Sequence, residues 1–113
     1  MTKYTVKFTT QFKKDYKLAM KRGLDINLLD TAITLLAETG TLPEEYLDHP
    51  LSGNYKGFRE CHILPNWLLV YLVEEATITL TLARIGSHSD LFKHTAMYFK
   101  LTCKSLQEQL SLR

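Results

Sequence analysis

Apolar and polar residues alternate from Tyr4 to Phe8, with Tyr4, Val6 and Phe8 on one side; this period of two predicts a short strand. Thr9 and Thr10 follow as N-cap candidates, because a threonine hydroxyl can accept from the first free helical N–H groups. The period then lengthens. Phe12, Tyr16, Ala19 and Met20 fall on one helical stripe, and Lys13, Lys14, Lys17, Lys21 and Arg22 fall largely off it. Gly23 suits the left-handed position that ends many helices. Asp25 can cap a second helix with a broad stripe of Leu28, Leu29, Ala32, Ile33, Leu36 and Ala37, which Gly40 ends. The link of Gly23 to Asp25 is short enough to predict an antiparallel helical hairpin covering one face of a sheet.

A loop from Thr41 to Asn54 carries Pro43, Pro50 and Gly53, with His49 biased towards extended backbone by the proline after it. From Lys56 the period returns to two. Phe58, Glu60 and His62 share one face of a strand, and Arg59, Cys61 and Ile63 the other. Pro65 and Asn66 make a turn into WLLVYLV, an apolar run expected of a central strand. After Glu74 and Glu75, three threonines alternate with Ile78, Leu80 and Leu82. Three strands with short links predict an antiparallel meander. Arg84 continues the apolar register of Leu80 and Leu82. A charge there predicts a sheet end that leaves helix cover for function, or else a structural ion pair. SHSDLFK then begins a turn or short helix. From Phe92 to Leu110 apolar residues recur at heptad spacing, which predicts a further helix, docked on its own domain or on a partner.

Composition narrows the class. The 113 residues suit one domain with its own core. A net charge of +2 gives no global pull towards nucleic acid, so local clusters must make that case. The longest apolar run falls short of a bilayer span, and MTKYTVKF lacks the apolar segment of a signal peptide, so the cytoplasm is expected, without membrane attachment. Cys61 and Cys103 form no CxxC pair and are expected as reduced thiols; adjacent strand positions turn Cys61 away from His62.

The chemistry concentrates between Asp48 and Tyr71 and just after the last strand. His49, His62 and His88 can exchange protons near neutral pH. Lys56, Arg59 and Arg84 supply positive charge, and arginine matches phosphate geometry. Trp67 and Phe92 supply flat surfaces for bases. These parts fit RNA cleavage, in which a base activates the ribose 2′-OH, an acid protonates the leaving 5′ oxygen and cations hold the phosphate. The histidines lack the close spacing of a zinc motif, and no metal is expected.

At DHPL, GFRECH, PNW and RIGSHSDLF the chain resembles the YafQ branch of the RelE/ParE toxin superfamily, with blocks in matching order and spacing over residues 1–92. The resemblance implies an α+β, RelE-like fold in which an antiparallel sheet is flanked by the N-terminal hairpin. The expected toxin domain is residues 1–92, and 93–113 are expected as an extra C-terminal helical extension, which departs from the family. It implies an endoribonuclease that cuts mRNA in the ribosomal A site and inhibits translation. It further implies a cognate antitoxin as the protein partner, DNA reached only through that antitoxin, and no metal or cofactor. The family's catalytic positions fall on His49, His62, His88 and Arg84, with an acidic residue at Glu60; Trp67 and Phe92 are its aromatic positions. Lys56, Arg59 and Asn66 join these two as RNA-binding candidates. Where the family carries a catalytic aspartate this chain has Asn66, whose amide hydrogen-bonds but exchanges no proton at neutral pH. That departure and the tail leave open a catalytically weak fold that works mainly in an autorepressing antitoxin complex; the shared superfamily fold leaves open a ParE-like gyrase inhibitor, against which the retained histidines argue.

Overall fold

A computed structural model describes residues 2–92; the helix expected beyond them, and the side chain of Phe92, lie outside what is described. The elements run β1 (Thr5–Phe8), α1 (Thr10–Lys21), α2 (Ile26–Thr39), β2 (His49–Pro50), β3 (Arg59–Leu64), β4 (Trp67–Glu74), β5 (Thr79–Gly86) and α3 (His88–Phe92). The five strands form one sheet in the order β1-β5-β4-β3-β2, so the α+β class holds.

The expected punctuation is in place. Thr9 caps α1 by accepting from the Phe12 N–H, and its hydroxyl donates to the Ala83 carbonyl at 2.7 Å, tying the helix start to β5. Asp25 caps α2 through the Asn27 N–H. Gly40 ends α2 at φ 79°, and a Cβ there would lie 2.7 Å from the Tyr4 hydroxyl. Pro65 and Asn66 alone join β3 to β4.

Two cores lie on the two faces of the sheet. On the hairpin side, Leu69, Tyr71, Leu80, Leu82 and Ile85 pack against Phe12, Ala19, Leu29 and Leu36. On the other side, Leu68, Val70 and Ala83 are covered by Tyr55, Phe58 and Leu91, so the loop before β3 and the short α3 close that face. Each fully buried leucine contributes roughly 1.5–3 kcal/mol.

The sequence expectation needs four corrections. β1 pairs with β5 in parallel, so the sheet is mixed rather than antiparallel throughout. His49 belongs to a two-residue strand paired with β3, not to a loop. On α1 it is Asp15 that is buried and Met20 that is exposed. Finally, a bulge leaves Ala83 without a partner between the pairs Val70–Arg84 and Tyr71–Leu82. The register therefore slips by one, and Ile85 instead of Arg84 follows Leu80 and Leu82 into the core.

Candidate active site

β2 and β3 bring the first cluster together. His49 stands opposite Glu60 in the ladder, and opposite residues share a face. The His49 Nε2 lies 3.3 Å from Glu60 Oε1. Its Nδ1 lies 2.8 Å from the Leu47 carbonyl, at a residue held at φ 52°. Both ring nitrogens thus face acceptors. His62 is two residues along β3 on the same face, and its ring centre is 6.4 Å from that of His49. Its Nδ1 meets the Pro65 carbonyl at 3.3 Å. Donation there leaves the lone pair on Nε2, the tautomer that accepts a proton. Glu60 is 3% exposed, yet its Oε2 has no hydrogen-bond partner among the described residues. A buried polar atom without a partner costs about 1–3 kcal/mol.

Asp48, immediately before His49, is held from the opposite face of β3. Both its carboxylate oxygens accept from Arg59 Nε at 3.2 Å, and Oδ1 also accepts from the Tyr71 hydroxyl at 2.6 Å. The hydrogen bond to Asp48 raises the Arg59 guanidinium above its ordinary value. Burial, and then Asp48, raise the Tyr71 phenol. Arg59 is thereby engaged by the scaffold, on the face away from His62. Cys61 is fully buried beside it, and burial pushes its thiol up to about 12, which keeps it protonated and unreactive.

The second cluster lines a cleft of about 500 Å³ between α1, the β3–β4 turn and the start of α3. Asn66, Trp67, Arg84 and Ser87 contribute to its wall, with Asp15 of α1 and Arg22 just after that helix. Arg84 is buried and donates to Asp15 through Nε and Nη2, each at 3.1 Å. It has not left helix cover, as its place in the apolar register suggested; it is paired with a helical carboxylate. Trp67 is 3% exposed and belongs to the core, so its ring offers no open face to a stacking base. Its indole N–H has no partner among the described residues.

His88 begins α3, two residues after Gly86, and is exposed. Ser87 and Asp90 form a reciprocal box at that helix start. The Asp90 N–H donates to Ser87 Oγ at 3.1 Å, and the Ser87 N–H to Asp90 Oδ2 at 3.0 Å. Arg22, which caps the C-terminus of α1, reaches the same Oδ2 at 2.8 Å. This hydrogen bond lowers the Asp90 carboxyl to about 2. Gly86 lets the helix sit close, since a Cβ there would lie 3.0 Å from that of Asp90.

The sheet relates the two clusters. His62, Leu68 and Gly86 form one row across β3, β4 and β5, which spans roughly 10 Å at ordinary strand spacing. His49, Glu60 and His62 are therefore one group and Asn66, Trp67 and Arg84 another; Arg84 ends the neighbouring row Glu60–Val70–Arg84, and His88 follows two residues after Gly86. Lys56 is exposed before β3. The expectation for Phe92 falls on a side chain outside those described. Sequence reading missed Asp15, Asp48 and Asp90. Asp15 alone left a signal, since it lies three residues from Phe12 and four from Ala19 on the buried stripe of α1. Among the described residues, no group of three or more His, Cys, Asp or Glu side chains is placed to hold a metal ion. No described helix is long and apolar enough to cross a membrane.

Relatives share this framework. The family model for the bacterial toxin YafQ of type II toxin–antitoxin systems matches residues 4–93. The mRNA interferase toxin YafQ of Escherichia coli strain K12 is 41% identical over 93 residues, 81% of this chain and 99% of that one. The toxin in the crystal structure of the E. coli DinJ–YafQ toxin–antitoxin complex aligns with a TM-score of 0.73 and 40% identity, over 80% of this chain and 98% of that one. A metal-bound toxin from Helicobacter pylori aligns with a TM-score of 0.74 and 45% identity, over 79% and 99%. The chain belongs to the YafQ family of bacterial type II toxin–antitoxin toxins.

Proposed function

We propose that the protein is an mRNA endoribonuclease that cuts message in the ribosomal A site, in the cytoplasm, and that a cognate antitoxin binds and neutralises it. The pairing of His49, Glu60 and His62 on one sheet face carries this reading. His62 is the base. Its Nδ1–H is committed to the Pro65 carbonyl, so Nε2 takes the ribose 2′-OH proton as that oxygen attacks the adjacent phosphorus. His49 and Glu60 hold charge beside it. The bond from phosphorus to the 5′ oxygen breaks, giving a 2′,3′-cyclic phosphate, and His88, just past the β5 end of the row, protonates the leaving oxygen. Arg84, at the β5 end of the neighbouring row Glu60–Val70–Arg84, balances the charge on the phosphate oxygens. Asn66 cannot exchange protons, so acid–base work rests on the imidazoles.

The test is to mix the protein with ribosomes stalled on a defined mRNA and map the new ends. Cuts at the A-site codon are expected, with loss of at least 100-fold in His62→Gln and His88→Gln variants that keep the wild-type melting temperature. Intact message at stoichiometric protein would overturn the reading. Asn66 favours a second one, a weak nuclease acting mainly as the antitoxin's partner in a DNA-bound repressor. It predicts that expression without antitoxin leaves growth unchanged.

A further inference from the structure

We propose that Asp15 is the positioning residue for Arg84: it fixes one edge of the guanidinium so that the other is presented to the scissile phosphate. The proposal rests on the role given to Arg84 in the cleavage reaction.

Arg84 is held by Asp15 on one side and lines the cleft. Asp15 Oδ2 accepts from Arg84 Nε and from the Ile85 N–H, both at 3.1 Å. Its Oδ1 accepts from Arg84 Nη2 at 3.1 Å and from Gln11 Nε2 at 3.0 Å. An ionised carboxylate has about four lone-pair sites, and all are taken. Asp15 therefore has nothing left to offer a substrate and acts on one only through Arg84. The guanidinium spends two of its five N–H groups on the carboxylate, and three remain around Nη1 and Nη2. Two parallel N–H groups of that kind match two phosphate oxygens.

The backbone explains why a helical side chain is needed. The bulge at Ala83 breaks the regular ladder just before Arg84. β1 ends opposite Leu82, so the Ile85 N–H has no strand beyond it to accept its hydrogen bond. Asp15 fills that place and takes the guanidinium with the same carboxylate, so backbone and side chain are fixed together. Packing alone does not call for such a pair, because apolar residues of similar volume often stabilise as well as a buried ion pair.

Holding Arg84 by a counter-charge also weakens its pull on phosphate in the ground state. Removing that charge should harm turnover more than binding. The experiment compares Asp15→Asn, Arg84→Ala and the double variant in single-turnover cleavage of ribosome-bound mRNA, with thermal melting as the fold control. Asp15→Asn is expected to lower kcat about 100-fold, the scale of an ångström-sized misplacement, with KM unchanged or lower. The double variant is expected to cut no more slowly than Arg84→Ala alone. Multiplying losses in the double variant, or wild-type kcat in Asp15→Asn, would overturn the proposal. Wild-type cutting by Arg84→Ala would overturn both it and the role of Arg84. If Asp15→Asn does not melt cooperatively, Asp15→Glu replaces it, keeping the charge and displacing the carboxylate by one methylene. NMR decides the geometry apart from nuclease activity. The Arg84 Nε–H signal should be protected from exchange in the wild type and exposed in the variant; protection in both overturns the proposal, even if no message is cut.

Discussion

Replacing Glu60 with glutamine should separate stability from activity, because the site keeps a buried carboxylate that the fold does not need. Glu60 is 3% exposed and one of its oxygens lacks a partner among the described residues. Its other oxygen is 3.3 Å from a His49 imidazole whose side chain is 45% exposed. A full charge pair at that distance would gain about 5 kcal/mol at an effective dielectric of 20. Solvent around the half-open imidazole screens this to roughly 1 kcal/mol. Against it stands the desolvation of the carboxylate, several kcal/mol even after relaxation. The balance favours the neutral amide, so Glu60→Gln should be as stable as wild type or more so, by roughly 1 kcal/mol. That corresponds to about 4 °C in melting temperature for a domain near 100 residues. The charge beside the base is lost at the same time, and single-turnover cleavage should fall about 100-fold. Calorimetry and mapped mRNA cleavage on the same preparations test both halves. A drop of several degrees with cleavage intact would refute the reasoning, since it would make Glu60 a structural residue and leave the histidines without their carboxylate.

The Arg22–Asp90 contact makes a pH prediction. The folded Asp90 carboxyl is held at about 2, below its ordinary value of 3.8, so its contribution is present above pH ~4 and is lost as pH falls towards 2. The melting-temperature gap between wild type and Asp90→Asn should therefore close across that window and be flat above it. Cys61, with its thiol pushed up to about 12, should resist iodoacetamide at pH 8 in the folded protein and react on denaturation, as peptide mass mapping would show. Gly40→Ala should destabilise by more than about 1 kcal/mol in chemical denaturation, because the residue sits at φ 79° and its new methyl would meet the Tyr4 hydroxyl.

Local chemistry made much of the fold legible. The caps at Thr9 and Asp25, the glycine stops and the Pro65–Asn66 turn each depend on a few adjacent residues, and each is where the sequence placed it. The period of two correctly turned Glu60 and His62 away from Cys61 and Ile63, because strand geometry alternates regardless of the rest of the chain. Distant choices were not legible. β1 has the same pattern whether it pairs in parallel or antiparallel, and its partner begins at Thr79. The bulge at Ala83 leaves no mark in composition, yet it decides which way Arg84 and Ile85 face. The sequence offers Trp67 as a flat surface for bases, through its aromatic ring and through the family likeness alike. Its burial follows from the first position of a central strand lying against the hairpin.

Charges on apolar stripes reveal how far the candidate site could be read. Arg84 broke the register of Leu80 and Leu82, and Asp15 broke the stripe of Phe12 and Ala19. Taken one at a time, each break invites an external ligand as its explanation. A charge buried without compensation is costly, so two breaks of opposite sign in one small domain are candidate partners before either is a ligand site. Glu60 is a third such charge and would have competed for Arg84 on sequence grounds. The sheet resolves the competition. Glu60 faces His49 from β3, while α1 runs beside the end of β5 and brings Asp15 to within 3.1 Å of Arg84. Charge balance therefore names the possible pairs, register selects among them, and what the guanidinium has left after pairing is what it can give to a phosphate.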